Sequence, residues 1–563
     1  MFDFPDRSDQ REGRTVLVKF TAALACRRCL EQPSCPCSIK VGLAPCSGCT
    51  SFLICIHHGL SAPNTQHYSA MPIGLLSLST ELLTIIIAFV AETSPLRCLR
   101  LTCSRLAASA APELFRSFVV RPRGLSVARF HALLDVASPY RPRTLVRRVV
   151  FEFNERRQGN YLEGWEPLFA TLLGEWRAAV ARLAELENVQ HVCVRFRPNC
   201  LGIDFTGSGW RRDFPDGGII GLRRNILIAV FEAIASMRQP LRSLSIENLL
   251  NFVDTALTDK PCFTEVITSI QELHISIAAE IDEDDPLNPT TLPPLPRFWP
   301  LFASVWLAPA APRLSSLTIY SNIHFGAVPY WQDCFSSAAS PDTVALAFPR
   351  LHSLALGRYT LAYEAQIDDF LVNATVLPEL RRLTLDDCSI MSHLSVYESG
   401  ERSPVHRKEL RMIKIMSLGG EPRHIMASRL RWDTVFDRLR EGLPSLKMFV
   451  FTRGPWQDDA AFSERDFNIS QFLARRYLSY HEGVSPSQFI EPLPERYDDP
   501  ADGYVKHYNE AFFYYDDRDA LQRRDPIYDE VLNPPSNDLK VYRAELEAFN
   551  RLNEALFQRR QLS

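Results

Sequence analysis

No glycine-rich phosphate loop, His-Glu-x-x-His helix or Gly-x-Ser-x-Gly elbow occurs in the chain. Those absences remove the usual sequence signatures of nucleotide binding, zinc-dependent hydrolysis and serine hydrolysis. Charge of one sign is lacking too: 62 Lys and Arg stand against 66 Asp and Glu, a net of −4, without the basic excess of a general nucleic-acid binder. No apolar run reaches bilayer length, because Ser77, Ser79, Glu81 and Thr84 interrupt the best candidate. Glycine is scarce, 24 residues against 39 prolines, so short elements joined by stiff connections are expected. A secretory signal is not legible: the weakly apolar Val16 to Ala25 follows Asp3, Asp6, Asp9 and Glu12 where a basic region belongs. An intracellular protein, cytoplasmic or nuclear, is expected, with its 14 cysteines as thiols rather than disulfides.

What remains is the composition of a globular protein, 46% hydrophobic and 23% charged over 563 residues, long enough for two or three domains. Half of the cysteines fall before residue 56, followed by His57, His58 and His67. Cys26-x-x-Cys29 and Cys46-x-x-Cys49 have the spacing of a four-thiolate zinc site, in which each short turn supplies two corners of a tetrahedron. Against that reading, Cys35-Pro-Cys37 fits no simple ligand scheme and no regular strand pattern is evident. Residues 1–70 read as a Cys-rich, poorly ordered leader, with zinc as the one cofactor to test.

Leu75 to Phe118 is the most patterned stretch. Ser79 or Thr80 can cap a helix whose first turn carries Glu81, where the helix dipole favours an acid. Leu82, Ile86, Phe89 and Val90 recur at helical spacing, as do Leu83 and Ile87, so this helix is apolar over more than one face. Pro95 restarts the chain, and Leu96, Leu99, Cys103 and Leu106 mark a second helix. So apolar a pair needs neighbours. The segment resembles the F-box, a helical module that docks on the Skp-type adaptor of a cullin-based ubiquitin ligase. Leu78, Glu81, Leu82, Leu83, Ile86, Leu96, Leu99 and Cys103 fall in register with the family pattern, while Ser79, Thr102 and Leu106 replace its Pro, Val and Trp. The resemblance implies that Leu78, Leu82, Leu83, Ile86, Leu96 and Leu99 divide between adaptor docking and the module's own core.

From residue 119 to 455 a frame recurs: apolar, two variable, apolar, one variable, apolar. It occurs at Val146/Val149/Phe151, Val189/Val192/Val194, Leu241/Leu244/Ile246, Ile270/Leu273/Ile275 and Leu314/Leu317/Ile319. It continues at Leu351/Leu354/Leu356, Leu380/Leu383/Leu385, Leu410/Ile413/Ile415 and Leu446/Phe449/Phe451. Phe348-Pro349, Leu377-Pro378 and Leu443-Pro444 each lead into a frame, as though the chain turns one corner repeatedly. The frames resemble the strand portion of leucine-rich repeats, at irregular spacings of 29 to 52 residues that leave room for helices such as Leu222 to Met237 and Trp432 to Leu443. Pro198 to Gly221 and Glu280 to Pro300 read as surface insertions. In this arrangement Leu380, Leu383 and Leu385 are core residues, while Arg382 and Thr384 face the open side.

Residues 456–563 carry no frame; Leu546, Phe549, Leu552 and Leu556 give the final stretch an amphipathic helix, suited to capping the end of a repeat array. The fold expected is α/β: a short all-helical F-box-like module over residues 71–118, an irregular leucine-rich-repeat-like solenoid over 119–455, and a helical C-terminal cap. Cys388 and Cys334 adjoin acidic residues, which disfavour a thiolate, and the pairs Arg147-Arg148, Arg223-Arg224 and Arg381-Arg382 read as solvated faces. The resemblance implies a non-enzymatic substrate receptor whose partners are the Skp-type adaptor, the cullin ligase and an unknown target protein, with neither nucleic acid nor membrane. The competing readings are a leucine-rich scaffold or inhibitor without a ligase, and a zinc-dependent amino-terminal binding module.

Overall fold

The structure is a computed structural model, and it describes residues 39–45, 52–58, 78–89, 96, 101–135, 142–153, 166–196, 218–278, 298–327, 346–397, 411–418, 421–452, 477–482, 490–492 and 539–561. The chain divides into two compact units, residues 1–114 and 115–563.

In the first unit, β1 (Ile39–Pro45) and β2 (Phe52–His58) pair antiparallel. Regular structure is therefore present in a region whose sequence shows no strand pattern. Helix α1 spans Thr80–Phe89. Ser79 caps it: its hydroxyl accepts from Leu82 N at 3.4 Å, and its carbonyl accepts from Leu83 N at 3.0 Å. Bonding to its own backbone N–H, then to the Ser79 hydroxyl, holds the Glu81 carboxyl below its usual range. The second helix of the sequence reading is interrupted. Leu96, Leu101 and Thr102 are helical, Cys103 is not, and α2 (Ser104–Phe115) starts afresh with Ala107 N bonded to Cys103 O at 2.8 Å. Leu106 thus belongs to α2 rather than to the helix of Leu96.

In the second unit, fourteen strands form one sheet among the described residues, eleven of them joined through parallel pairings. Its backbone is an unbroken parallel ladder of nine strands: β3 (Ser117–Val120), β4 (Arg148–Phe153), β5 (His191–Phe196), β6 (Ser243–Leu250), β7 (Glu272–Ala278), β8 (Ser316–Phe325), β9 (Ser353–Leu361), β10 (Arg382–Asp386) and β14 (Met448–Thr452). The register is constant across the two apolar rows. Phe118, Val149, Val192, Leu244, Leu273, Leu317, Leu354, Leu383 and Phe449 form one row, and the third apolar positions, from Val120 to Phe451, form the next. At each of the eight junctions one carbonyl accepts from two successive N–H groups of the next strand: Arg116 O from Arg147 and Arg148, through to Arg381 O from Lys447 and Met448. The Pro-containing corners share a bond as well, with Leu351 N to Phe348 O, Leu380 N to Leu377 O and Leu446 N to Leu443 O at 3.2–3.4 Å.

Two frames differ from the sequence reading. Phe115/Phe118/Val120 supplies the first strand, so the ladder begins before residue 119. The frame at Leu410 is not in the ladder. Its strand β12 (Arg411–Leu418) pairs antiparallel with β13 (Glu421–Ala427), which pairs antiparallel with β11 (Ser389–Tyr397). A two-residue connection suits such a hairpin and is too short for the crossover that a parallel neighbour needs. The strand β15 (Tyr477–Glu482) extends this side array parallel to β11, and β16 (Ile490–Pro492) follows antiparallel.

Helices lie between successive ladder strands: α3 (Gly124–Leu134), α4 (Glu166–Ala181), α5 (Gly218–Ala235), α6 (Pro261–Ser269), a helical run Phe298–Ala310, and α7 (Trp432–Gly442). Their inner faces and the two apolar rows form one core from Val120 to Leu556, in which Trp176 of α4 meets Phe151 and Phe153 edge-on at 5.6 and 4.7 Å. The run at Phe298 corrects the end of one expected insertion, since Phe298 and Trp299 are fully buried. The rest of that insertion and residues 198–217 of the other lie outside the described residues.

Three of the ladder strands bend alike. Asn248, Arg358 and Asp387 have positive φ (62°, 58° and 52°), and each sits two positions after the last apolar residue of its frame, at Ile246, Leu356 and Leu385. Asn248 Nδ2 donates to Phe196 O at 2.7 Å, and the Cys388 thiol donates to Leu356 O at 3.4 Å, so polar side chains secure these bends to the preceding unit. Helix α8 (Leu539–Gln561) packs beside α7: Ala548, Leu552 and Leu556 join the core, and Arg559 donates to the carbonyls of Arg440 at 2.6 Å and Leu443 at 2.8 Å, at the end of α7.

Candidate protein-docking surfaces

Helix α1 has about 100° between successive residues, so Leu82, Ile85 and Ile86 share one side while Leu83 and Ile87 lie toward another. Leu83 and Ile87 are buried, and Ile87 packs with Leu96 and Ala110, with Leu114 against them. Leu78, Leu82 and Ile86 are half-buried. Among the described residues of the unit, the exposed large apolar ones are Ile85, 53% exposed, and Leu101, 85% exposed. Of the six residues taken from the family pattern, Leu83 and Leu96 are therefore core, Leu78, Leu82 and Ile86 keep part of their surface in water, and Leu99 lies outside the described residues. Sequence reasoning passed over Ile85 and Leu101. The signal for Ile85 was present in a helix with more apolar residues than one buried face accepts. Arg105 Nη2 donates to Leu78 O at 2.5 Å, which ties α2 to the start of α1.

The second surface is the polar side of the ladder. One strand position beyond the apolar rows, Glu152, Arg195 and Glu247 follow one another on β4 to β6, and Ser276, Tyr320, Gly357 and Asp386 on β7 to β10, with a register shift between β6 and β7 separating the two runs. Arg121 bonds Glu152 at 2.9 Å, and Arg195 Nε bonds Glu247 at 2.5 Å while the Cys193 thiol donates to the same carboxylate at 3.4 Å. Burial, then the Glu247 charge, pushes the Cys193 thiol up to about 12, and burial pushes the Cys388 thiol well above its usual value. Neither is poised as a nucleophile at neutral pH. Burial also lowers the basicity of His274, whose Nδ1 lies 2.9 Å from Thr318 Oγ1. Arg382 is exposed as expected, but Thr384 is only 3% exposed: it lies at the centre of a strand flanked by β9 and β14, where a short side chain has little surface left.

Arg223-Arg224 is not a solvated pair. Arg223 is buried, with Nη1 donating to Asn248 O at 2.7 Å and its guanidinium 4.7 Å from the centre of the Phe196 ring, and Arg224 pairs with Asp254 at 2.5 Å.

Cys26, Cys29, Cys46, Cys49 and Cys334 lie outside the described residues, and among the described residues no cluster of three His, Cys, Asp or Glu is placed to hold a metal. Among them, too, no helix is long and apolar enough to cross a membrane. Compared with known proteins, the chain matches no family model and no curated protein sequence.

Proposed function

We propose that the chain is the substrate-recognition subunit of a Skp–cullin–F-box ubiquitin ligase, non-catalytic in itself. The F-box-like segment docks on the adaptor, and an irregular leucine-rich-repeat solenoid with a helical C-terminal cap holds the protein to be ubiquitylated. The observation that carries this reading is the division of the 78–114 segment, with Leu83, Ile87 and Leu96 buried while Ile85 and Leu101 remain exposed. Fully burying such a side chain contributes about 1.5–3 kcal/mol and nanomolar affinity needs about 12 kcal/mol, so docking requires several anchors, the half-buried Leu82 and Ile86 among them. The constant register of the frames supports the repeat half.

The test is affinity purification of the full chain and of a chain lacking residues 71–118, with the proteasome inhibited. Adaptor and cullin should co-purify only with the full chain, and target proteins with both. Should the full chain capture no adaptor, the ladder alone remains, and a leucine-rich scaffold or inhibitor without a ligase becomes the reading.

A further inference from the structure

The first variable position of each frame forms a row of its own, because it carries the carbonyl that accepts two N–H groups at every junction. In order from β3 to β14 the row reads Arg116, Arg147, Gln190, Arg242, Gln271, Ser315, His352, Arg381 and Lys447. Arginine or lysine fills five of the nine positions, and none holds an acid. The adjacent row, at the second variable position, adds Arg148 and Arg382 and a single acid, Glu272. In a chain whose net charge is −4, this edge of the sheet is a basic stripe.

The fold is not served by that arrangement. Like charges on neighbouring strands destabilise a sheet, yet Lys447 N bonds Arg381 O at 2.8 Å and sets the two cations side by side. Arg242 is neutralised by Glu272 at 2.9 Å, and Arg147 donates to Asn188 O. By contrast, Arg148, Arg381, Arg382 and Lys447 have no side-chain hydrogen bond or ion pair among the described residues. Arg381 and Arg382 are exposed, and Lys447 keeps part of its surface in water. Beside them Met448 is 41% exposed. The doubled backbone bonds fix the origin of every side chain in the row, so the charges are held at the strand spacing of about 4.8 Å over eight steps, roughly 38 Å in all.

We propose that this strand-start edge binds an extended acidic polypeptide segment, anchored at Arg381, Arg382 and Lys447 and reaching toward Arg147 and Arg148. A stripe two residues wide and about 38 Å long matches one extended chain of about a dozen residues at ~3.3 Å each. The interspersed Gln190, Gln271 and Ser315 offer neutral hydrogen bonds to its backbone. A nucleic acid fits less well. Its charge is dense along its length, and beyond so narrow a stripe it meets a protein of net negative charge. The inference goes beyond the ligase reading and rests on the sheet unit alone.

The test is fluorescence anisotropy of a labelled poly-glutamate peptide of about a dozen residues, titrated with the full-length protein. A poly-lysine peptide and a single-stranded oligothymidine run in parallel, each at low and high salt. Saturable binding of poly-glutamate is expected, weakened at high salt by screening. The triple variant Arg381→Glu/Arg382→Glu/Lys447→Glu should weaken it about ten-fold or more, and Arg148→Glu by a smaller factor. Circular dichroism checks the fold, and Arg381→Gln/Arg382→Gln/Lys447→Gln replaces the triple reversal if that variant does not fold. No saturable binding, equal binding by wild type and folded variants, or tighter binding of the oligonucleotide would each overturn the proposal. Adaptor capture, measured separately, bears on neither result.

Discussion

The Tyr320 hydroxyl of β8 donates to Asp386 Oδ2 of β10 at 3.2 Å, and its ring passes over Gly357 of the intervening strand to do so. Both partners are buried, Asp386 completely. A carboxylate removed from water needs bonded donors. Tyr320→Phe deletes one of them and leaves the ring in place. The expected loss is about 1–3 kcal/mol, read as a lower urea midpoint at unchanged slope. An unshifted midpoint would remove the bond from any role in stability.

Gly357 is required by that crossing rather than by its backbone. A Cβ there would lie 1.9 Å from the Tyr320 ring, so Gly357→Ala should cost about 1–3 kcal/mol by overpacking. The cost should shrink in a Tyr320→Ala background, where the ring is gone. Equal costs in both backgrounds would show that the two residues are not coupled.

The Cys193 thiol, raised to about 12 from a usual value of 9.0, predicts a loss of stability at alkaline pH. Between those values the unfolded thiol ionises and the folded one does not, so the unfolded state binds fewer protons and stability falls as pH rises. The contribution is complete below pH 9.0 and is lost on approach to about 12. Cys193→Ala should flatten the melting temperature over that window relative to wild type. Parallel curves would mean the thiol is not protonated by burial as described.

Much of the ladder was legible because its residues repeat a local rule. Eight frames read from sequence fall on parallel, in-register strands, each with apolar positions that only a shared core explains. Phe115/Phe118/Val120 follows the same rule, but it abuts an apolar helix and its first member ends α2, so helical periodicity masked it. Strand β12, which carries Ile413 and Ile415 of the frame at Leu410, pairs antiparallel, since the spacing of apolar residues does not encode the direction of a neighbour; Leu410 itself lies outside the described residues. Asn248, Arg358 and Asp387 share a level of the ladder that becomes apparent only once the register is known. On α1 the apolar residues were legible, but their division was not: Leu83 and Ile85 are alike in sequence and opposite in exposure.

Helix α8 is a structural part of the sheet unit. Leu552 is fully buried in the main core, Phe549 meets Phe436 at 5.4 Å, and the Tyr477 hydroxyl bonds the buried Glu545. Leu552→Ala should cost about 2–5 kcal/mol. Removal of residues 539–563 should expose the α7 side of the core and lower the melting transition. If the truncated chain melts at the wild-type temperature, α8 does not cap the array.

On α1, neighbours two positions apart should separate stability from binding. Leu83 is fully buried, so Leu83→Ala should destabilise the amino-terminal unit by about 2–5 kcal/mol. Ile85 and Leu101 are largely in water, and a charge there disturbs little of the fold: Ile85→Glu/Leu101→Glu should shift stability by no more than about 0.5 kcal/mol. If the ligase reading is right, the same double change places two carboxylates in the adaptor interface, where an unpaired charge costs several kcal/mol. Capture should then fall at least about a hundred-fold, equivalent to roughly 2.7 kcal/mol. The measurement is a titration of purified adaptor against both folded variants, with circular dichroism to confirm helix content. Full capture by Ile85→Glu/Leu101→Glu would remove that pair from the docking surface and leave the half-buried Leu82 and Ile86 as its candidates. Absence of capture by the wild type itself would leave the exposed pair without an adaptor to serve.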